Sequence, residues 1–95
     1  MAIQSFKDER AKAIYDGISP GKGFPADLLR VAKRKLVMLD AASVLNDLRV
    51  PPGTRLEALS GDRQGQHSIR VNDQFRLVFV WTEAGPADVQ FVDYH

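Results

Sequence analysis

The chain has 95 residues, no cysteine and a formal net charge of +1. This length predicts one small domain over residues 1–95, and the lack of cysteine excludes disulfides and a thiolate nucleophile. A nearly neutral chain argues against a protein that coats nucleic acid by bulk charge alone, so any such contact must come from locally clustered cations. No apolar run approaches the roughly 20 residues that span a bilayer, and residues 1–6 are too short for a secretion signal, so we expect a cytoplasmic protein without membrane contact.

The first half of the chain predicts a short strand and two helices. The strand covers residues 2–6. The first helix covers residues 8–16 and has acidic residues in its first turn, where the helix dipole favours them. The second helix begins at Pro25, whose missing N–H costs nothing at that position, and ends near Ala41. Its predicted buried stripe repeats at helical spacing and comprises Leu29, Ala32, Leu36 and Leu39.

The second half of the chain becomes strand-like after a short turn. Ser43 is predicted to cap a turn over residues 44–48, and the prolines at 51 and 52 end helical structure. Residues 54–59 predict a strand, residues 61–65 a polar loop, and a hairpin and a final strand follow. The inward-facing residues of the first of these strands are Leu56 and Ala58. This order predicts an α+β fold with two N-terminal helices packed on one face of a small, mainly antiparallel sheet.

The hairpin between Gln66 and Trp81 carries the most informative pattern. Its apolar residues share one face only if residues 72–74 form the loop; they are His67, Ile69, Val71, Phe75, Leu77, Phe79 and Trp81. That register places Arg70 directly opposite Arg76 on the other face. Like charges opposite each other in a sheet repel, so we expect an anion between them. Phosphate is the natural candidate because guanidinium groups bind it through forked, charge-assisted hydrogen bonds.

The same outward face collects further groups that suit RNA cleavage. Alternation places Glu57 beside Arg70 and Arg76, and adds Tyr94 if the last strand keeps its register, while His95 can turn toward either face. A base would remove the proton of a ribose 2′-hydroxyl, which attacks the adjacent phosphorus. Cations would stabilise the added negative charge, and an acid would protonate the departing 5′-oxygen. The face therefore holds a plausible set of groups for this reaction.

Each of these residues also has a purely structural interpretation. Glu57 can be a salt-bridge partner of either arginine, and the polar residues at the end of the chain can be an ordinary tail. His67 lies on the apolar face and is predicted to be a core-edge imidazole. The two histidines lack metal-site spacing with other ligands, so we predict no metal and no cofactor. Val78 and Val80 form an apolar strip on the outward face that predicts a protein partner, unless the helices cover it.

Several motifs resemble a known family. They are LEAL at 56–59, GDR at 61–63, GQ at 65–66, SIRVN at 68–72, Arg76, and VDYH at 92–95. Together they resemble HigB-type toxins of bacterial type II toxin–antitoxin modules, within the RelE/ParE-like superfamily, and the resemblance spans nearly the whole chain. It implies a growth-inhibiting, ribosome-dependent mRNA endonuclease that cuts codons in the ribosomal A site. It also implies a HigA-like helix-turn-helix antitoxin as partner, with operator DNA contacted only through that antitoxin.

The resemblance assigns roles to individual positions. Glu57 matches the proposed base, the two arginines match phosphate-binding positions of the motif strands, and the catalytic set is completed by the terminal triplet Asp93, Tyr94 and His95. The substrate-binding positions are predicted to be Arg55, Ser60 and Arg63. Ser60 departs from the family, in which lysine is usual, and a serine supplies no positive charge. Three interpretations stay open: a weaker enzyme, a transfer of the task to Arg63, or a variant that its host tolerates.

Two other functions compete with mRNA cleavage. The first is inhibitory binding without catalysis, as in ParE-like relatives that poison gyrase, and the serine at position 60 favours it. The second is an attenuated toxin that acts mainly as an antitoxin-binding module. The presence of Glu57 and of the terminal Tyr94–His95 pair favours cleavage.

Overall fold

The first half of the chain folds into two helices in the computed structural model, which describes residues 2–18, 20–21 and 24–93. Helix α1 covers Glu9–Asp16 and helix α2 covers Ala26–Ala41, close to the predicted bounds. Helix α1 begins after Asp8, whose side chain accepts a hydrogen bond from the Arg10 N–H. It ends at Gly17, which adopts the left-handed conformation with φ of 79°.

The buried stripe of α2 differs from the prediction at one position. The buried residues are Leu28, Ala32, Leu36 and Leu39. Leu29, the predicted first member, is only half-buried. Spacings of three and four residues both fit a helical period of 3.6, so the sequence pattern alone does not decide between positions 28 and 29.

The second half of the described chain forms a four-stranded antiparallel sheet with the order β1-β2-β3-β4. The strands are β1 (Glu57–Ala58), β2 (His67–Arg70), β3 (Phe75–Thr82) and β4 (Gly85–Asp93). Short 3-10 helices lie at Leu45–Arg49, Pro52–Thr54 and Gly61–Arg63. The predicted α+β class is therefore confirmed. No helix in the described ranges is long and apolar enough to cross a membrane.

The predicted register of the β2–β3 hairpin is confirmed. Arg70 pairs with Arg76, and the N–H groups of Val71 and Asn72 donate to the Phe75 carbonyl at 3.0 and 3.2 Å across a three-residue loop. The Asn72 side chain closes this loop, because its oxygen accepts a hydrogen bond from the Phe75 N–H at 2.8 Å. The apolar alternation therefore lies on the core side of the sheet, as predicted.

The predicted opening strand is wrong apart from one parallel bridge between Phe6 and Val89. The Val89 N–H donates to the Ser5 carbonyl at 3.1 Å, and the Lys7 N–H donates to the Val89 carbonyl at 2.9 Å. The pairing cannot continue because the chain turns at Asp8 to begin α1. The segment nevertheless covers part of the outer edge of β4.

The predicted strand over residues 54–59 is shortened to β1. Thr54 ends a 3-10 helix, and its buried hydroxyl donates to the Leu48 carbonyl at 2.5 Å. Arg55 then adopts a left-handed φ of 48°, which a strand does not allow. Ala58, predicted to face inward, is exposed on β1, which is an edge strand of the sheet.

Ser43 was predicted to cap the turn before this strand, but the structure shows that Asp47 caps it. The carboxylate of Asp47 accepts hydrogen bonds from the Ser43 N–H at 2.9 Å and from the Val44 N–H at 3.3 Å. An aspartate inside the turn thus reaches back to the N–H groups that the helix leaves unpaired.

Buried apolar residues of both helices and of the strands form one cluster within the described part of the chain. Its buried members from the strands are Ile69, Leu77, Phe79, Val89 and Phe91. They pack with the buried stripe of α2 and with Ala11 and Ile14 of α1. The opposite face of the sheet carries the polar and charged residues described below.

Replacing Asp8 with alanine should destabilise the fold by about 1–3 kcal/mol. The carboxylate both caps α1 and accepts the Phe91 N–H of β4 at 2.9 Å, so the substitution removes a cap and a link between helix and sheet. Urea unfolding followed by circular dichroism measures the change. Glu83→Ala, in the exposed β3–β4 turn, is the control. An equal effect of the two substitutions would contradict this role of Asp8.

Candidate active site

Two arginines face each other on the side of the sheet away from the core. Arg70 of β2 and Arg76 of β3 are directly paired, as predicted. Their side chains are 33% and 11% exposed, so Arg76 is nearly buried while Arg70 still reaches solvent. This juxtaposition concentrates positive charge at the hairpin end of the sheet, which an anion can neutralise.

The guanidinium of Arg76 is held by the strands and loop around it. Its Nε–H donates to the Ser68 hydroxyl at 2.8 Å, and its Nη2 donates to the Arg55 carbonyl at 2.6 Å. Its Nη1 lies 3.6 Å from a carboxylate oxygen of Glu57. Arg76 is therefore fixed in place before any substrate arrives.

Arg70 has a different environment. Its Nη2 pairs with Asp73 of the hairpin loop, whose side chain is 98% exposed. The positive charge of Arg70 also reaches α2: the pKa of Lys35 is lowered, first by partial burial and then by the neighbouring charges of Arg34 and Arg70.

Glu57 lies on the same face as the two arginines. It pairs with Ser68 across β1 and β2, so strand alternation places its side chain beside Arg76. The side chain is 55% exposed and the ion pair with Arg76 is long, at 3.6 Å. Glu57 is thus a salt-bridge partner of Arg76 in the protein without substrate. Its carboxylate is nevertheless accessible to an incoming hydroxyl.

The three predicted substrate-binding residues occupy different places. The backbone of Arg55 contacts Arg76, while its own side chain is exposed. Ser60 is exposed and precedes the 3-10 helix Gly61–Arg63. Arg63, the half-buried end of that helix, donates to the Gln66 side chain at 3.2 Å. All three therefore lie along the β1 side of the arginine pair.

The predicted terminal triplet is only partly covered by the described residues. Tyr94 and His95 lie outside them. Asp93 pairs with Phe75, whereas Val92 pairs with Arg76, so Asp93 lies on the core side of the sheet. Its carboxylate accepts a hydrogen bond from the Gln74 side chain at 3.1 Å. The structure does not bring Asp93 together with the arginines.

The apolar strip predicted from Val78 and Val80 is wrong in part. Val78 is fully buried and Val80 is half-buried. Val78 therefore offers no surface to a partner. His67 stacks on Phe79 with a ring separation of 6.3 Å, as expected for a core-edge imidazole.

Ser68 lies on the arginine face, the side of the sheet that carries Arg70 and Arg76, and it was not among the site residues predicted from the sequence. It is fully buried on the arginine face and accepts the hydrogen bond from Arg76 described above. The signal was available, because the alternation that aligns Arg70 with Arg76 also places position 68 on their face. What the sequence did not show was its burial.

These side chains place two guanidiniums and a carboxylate together on one face, which makes the face a candidate anion site. Two guanidiniums can hold the non-bridging oxygens of a phosphodiester, and Glu57 can accept a proton from a neighbouring hydroxyl. Within the described part of the chain, no three histidine, aspartate or glutamate side chains converge to hold a metal ion. The guanidiniums and the carboxylate on this face can supply charge stabilisation and proton transfer.

The chain also matches a known family of proteins. Residues 4–95 match the model of the HigB-like toxin family, described as the RelE-like toxin of the type II toxin–antitoxin system HigB. The chain belongs to the HigB-like toxin family. A HigB-like toxin is one half of a two-protein system, so the family implies an antitoxin partner. The resemblance stated from the motifs is thus confirmed.

Individual relatives cover the HigB-like chain almost completely. Toxin HigB-1 of Vibrio cholerae serotype O1 is 41% identical over 95 residues, which cover 100% of this chain and 98% of that protein. Endoribonuclease HigB of Proteus vulgaris is 29% identical over 94 residues, covering 98% and 99%. An uncharacterized protein of Haemophilus influenzae is 34% identical over 92 residues, covering 97% and 90%.

Proposed function

We propose that this HigB-like toxin inhibits growth as a ribosome-dependent mRNA endonuclease that cuts codons in the ribosomal A site. The observation that carries the proposal is the facing pair Arg70 and Arg76 with Glu57 beside them on one sheet face. A relative that covers almost the whole chain is named Endoribonuclease HigB, which supports RNA as the substrate. The ribosome would present the codon to the part of this face where Arg70 and Glu57 reach solvent.

In the proposed reaction, the scissile phosphodiester binds between the two guanidiniums. The phosphate competes with Glu57 for Arg76, and the long ion pair opens at little cost because one partner is already half exposed. The freed carboxylate of Glu57 accepts the proton of the ribose 2′-hydroxyl, whose oxygen attacks phosphorus. The bond from phosphorus to the 5′-oxygen breaks, which leaves a 2′,3′-cyclic phosphate and a 5′-hydroxyl end.

The departing 5′-oxygen needs a proton. The family resemblance assigns this task to the terminal triplet, but Asp93 lies on the other side of the sheet from Arg76. The proposal therefore assigns proton donation to Tyr94 or His95. Arg70 and Arg76 stabilise the charge that develops on the phosphorane oxygens.

The same proposal defines the partners and the compartment. A HigA-like helix-turn-helix antitoxin binds the toxin and carries it to operator DNA, which the toxin itself does not contact. The ribosome and its message are the other partners, so the toxin acts in the cytoplasm. The domain that does this work spans residues 1–95.

Primer extension on a reporter message tests the proposal. The toxin is induced in cells and the 5′-ends of the reporter are mapped, with translation active or with the start codon of the reporter removed. We expect new ends inside translated codons only when the reporter is translated. DNA damage without codon-mapped ends would instead support a ParE-like gyrase poison. Antitoxin binding without either effect would support an attenuated binding module.

Replacing Ser60 with lysine should increase cleavage about tenfold or more. The Ser60 side chain is exposed and makes no capping hydrogen bond within the described chain, so a lysine fits without burial and can reach the phosphate. The rate of reporter cleavage on purified ribosomes measures the gain. Gln64→Lys adds the same charge at an exposed position of the same loop and is the control. An unchanged rate would mean that the serine does not limit this enzyme.

A further inference from the structure

Ser68 occupies the centre of the arginine face. It is fully buried, and it pairs with Glu57 on one side and with Val78 on the other. Its hydroxyl oxygen accepts the Arg76 Nε–H at 2.8 Å. A buried hydroxyl at this place is costly to desolvate unless it forms a hydrogen bond, so its bond to Arg76 is a specific feature of the face.

The backbone of Arg55 supports the same guanidinium from the other side. Arg55 has φ of 48° and ψ of 57°, a left-handed conformation that non-glycine residues seldom adopt. This conformation directs its carbonyl to Arg76, which donates from Nη2 at 2.6 Å. The two contacts hold the Nε and the Nη2 of one planar group, which fixes both its position and the orientation of its plane.

We propose that Ser68 is a positioning residue that sets the orientation of Arg76 for phosphate binding. The inference rests on the proposed function and adds to it a residue that does not touch substrate. An arginine side chain has several freely rotating bonds, and ordering it during the reaction lowers the rate. Ser68 and the Arg55 carbonyl remove that freedom in advance, so the guanidinium meets the developing charge without reorganising.

Ser68→Ala tests the inference because it removes one oxygen and leaves the backbone unchanged. We expect cleavage by saturating toxin on ribosome–message complexes to slow about tenfold, with little change in the concentration that gives half-maximal rate. Ser5→Ala is the matched control: it removes a hydroxyl that binds Asp88 at the other edge of the sheet. A full rate for Ser68→Ala would overturn the proposal.

A second measurement separates positioning through Arg76 from a general loss of stability. In an Arg76→Lys background the Nε–H that binds Ser68 is absent, so adding Ser68→Ala should slow cleavage by less than twofold. An equal tenfold loss in both backgrounds would overturn the proposal, because Ser68 would then act independently of Arg76.

Nuclear magnetic resonance tests the same contact without cleavage. The Arg76 Nε–H should exchange slowly with solvent in the parent protein and about tenfold or more faster in Ser68→Ala. Unchanged exchange would overturn the positioning role, whatever the activity. A parent protein that does not cleave RNA would overturn the proposed function alone, and the exchange measurement would still decide whether Ser68 orders Arg76.

Discussion

Replacing Arg70 with alanine should abolish growth inhibition while the toxin still folds and binds its antitoxin. The side chain reaches solvent and pairs with the exposed Asp73, so its removal should change the free energy of unfolding by less than about 1 kcal/mol. Loss of one group that stabilises the transition-state charge should slow cleavage about a hundredfold or more. Growth after induction and copurification with the antitoxin measure the two effects.

Arg30→Ala provides the matched control for this experiment. Arg30 lies on the exposed surface of α2 and forms a comparable ion pair with Asp27, three residues away. The Arg30→Ala variant loses the same positive charge as Arg70→Ala, but away from the sheet face. We therefore expect this variant to inhibit growth like the parent protein. If cells that express Arg70→Ala stopped growing as fast as cells with the parent, the phosphate site would be wrong.

Replacing Arg76 with alanine should reduce both stability and cleavage. The substitution leaves the buried Ser68 hydroxyl and the Arg55 carbonyl without this donor, which should destabilise the fold by about 1–3 kcal/mol. Cleavage should also fall about a hundredfold or more, because the second phosphate ligand is lost. Urea unfolding and cleavage on purified ribosomes measure the two effects separately.

Arg76→Lys distinguishes the charge of Arg76 from its shape. A lysine keeps the positive charge but cannot bind Ser68 and the Arg55 carbonyl through the fixed geometry of a guanidinium. We expect the free energy of unfolding of Arg76→Lys to lie between the values for the parent and for Arg76→Ala. Its cleavage rate should still be at least tenfold below that of the parent. A lysine variant that cleaved at the parent rate would show that the planar group is not required.

The hairpin register could be predicted from the sequence because it depends on strict alternation. Shifting the pairing by one residue would expose Ile69, Leu77 and Phe79, so burial of one face allows a single register. That register in turn aligns Arg70 with Arg76, and the candidate anion site follows from it. The bounds of α1 could also be predicted, because Asp8 and Gly17 are residue types that commonly begin and end a helix.

Other parts of the site depend on contacts between distant segments. The sequence around Arg55 is compatible with a strand, and the left-handed turn there is stabilised by hydrogen bonds from Thr54 and Arg76 that no local pattern reveals. The burial of Ser68 and Val78 is likewise not visible in the strand alternation, which predicts the face of a residue but not its exposure. Asp93 was predicted to be catalytic only because it matches the family motif. Its pairing with Phe75 places it on the core side of the sheet, away from Arg76.

The ion pair between Arg70 and Asp73 gives the free toxin an internal counter-ion. Because the Asp73 side chain is 98% exposed, it would remain hydrated if the phosphate of the proposed reaction displaced it, and the exchange of one oxyanion for another would cost little. Until then the pair weakens the attraction of this face for the phosphates of bulk RNA, as does a net charge of only +1. Under the proposed function, selectivity for messages held on the ribosome would thus begin with weak adsorption to all other RNA.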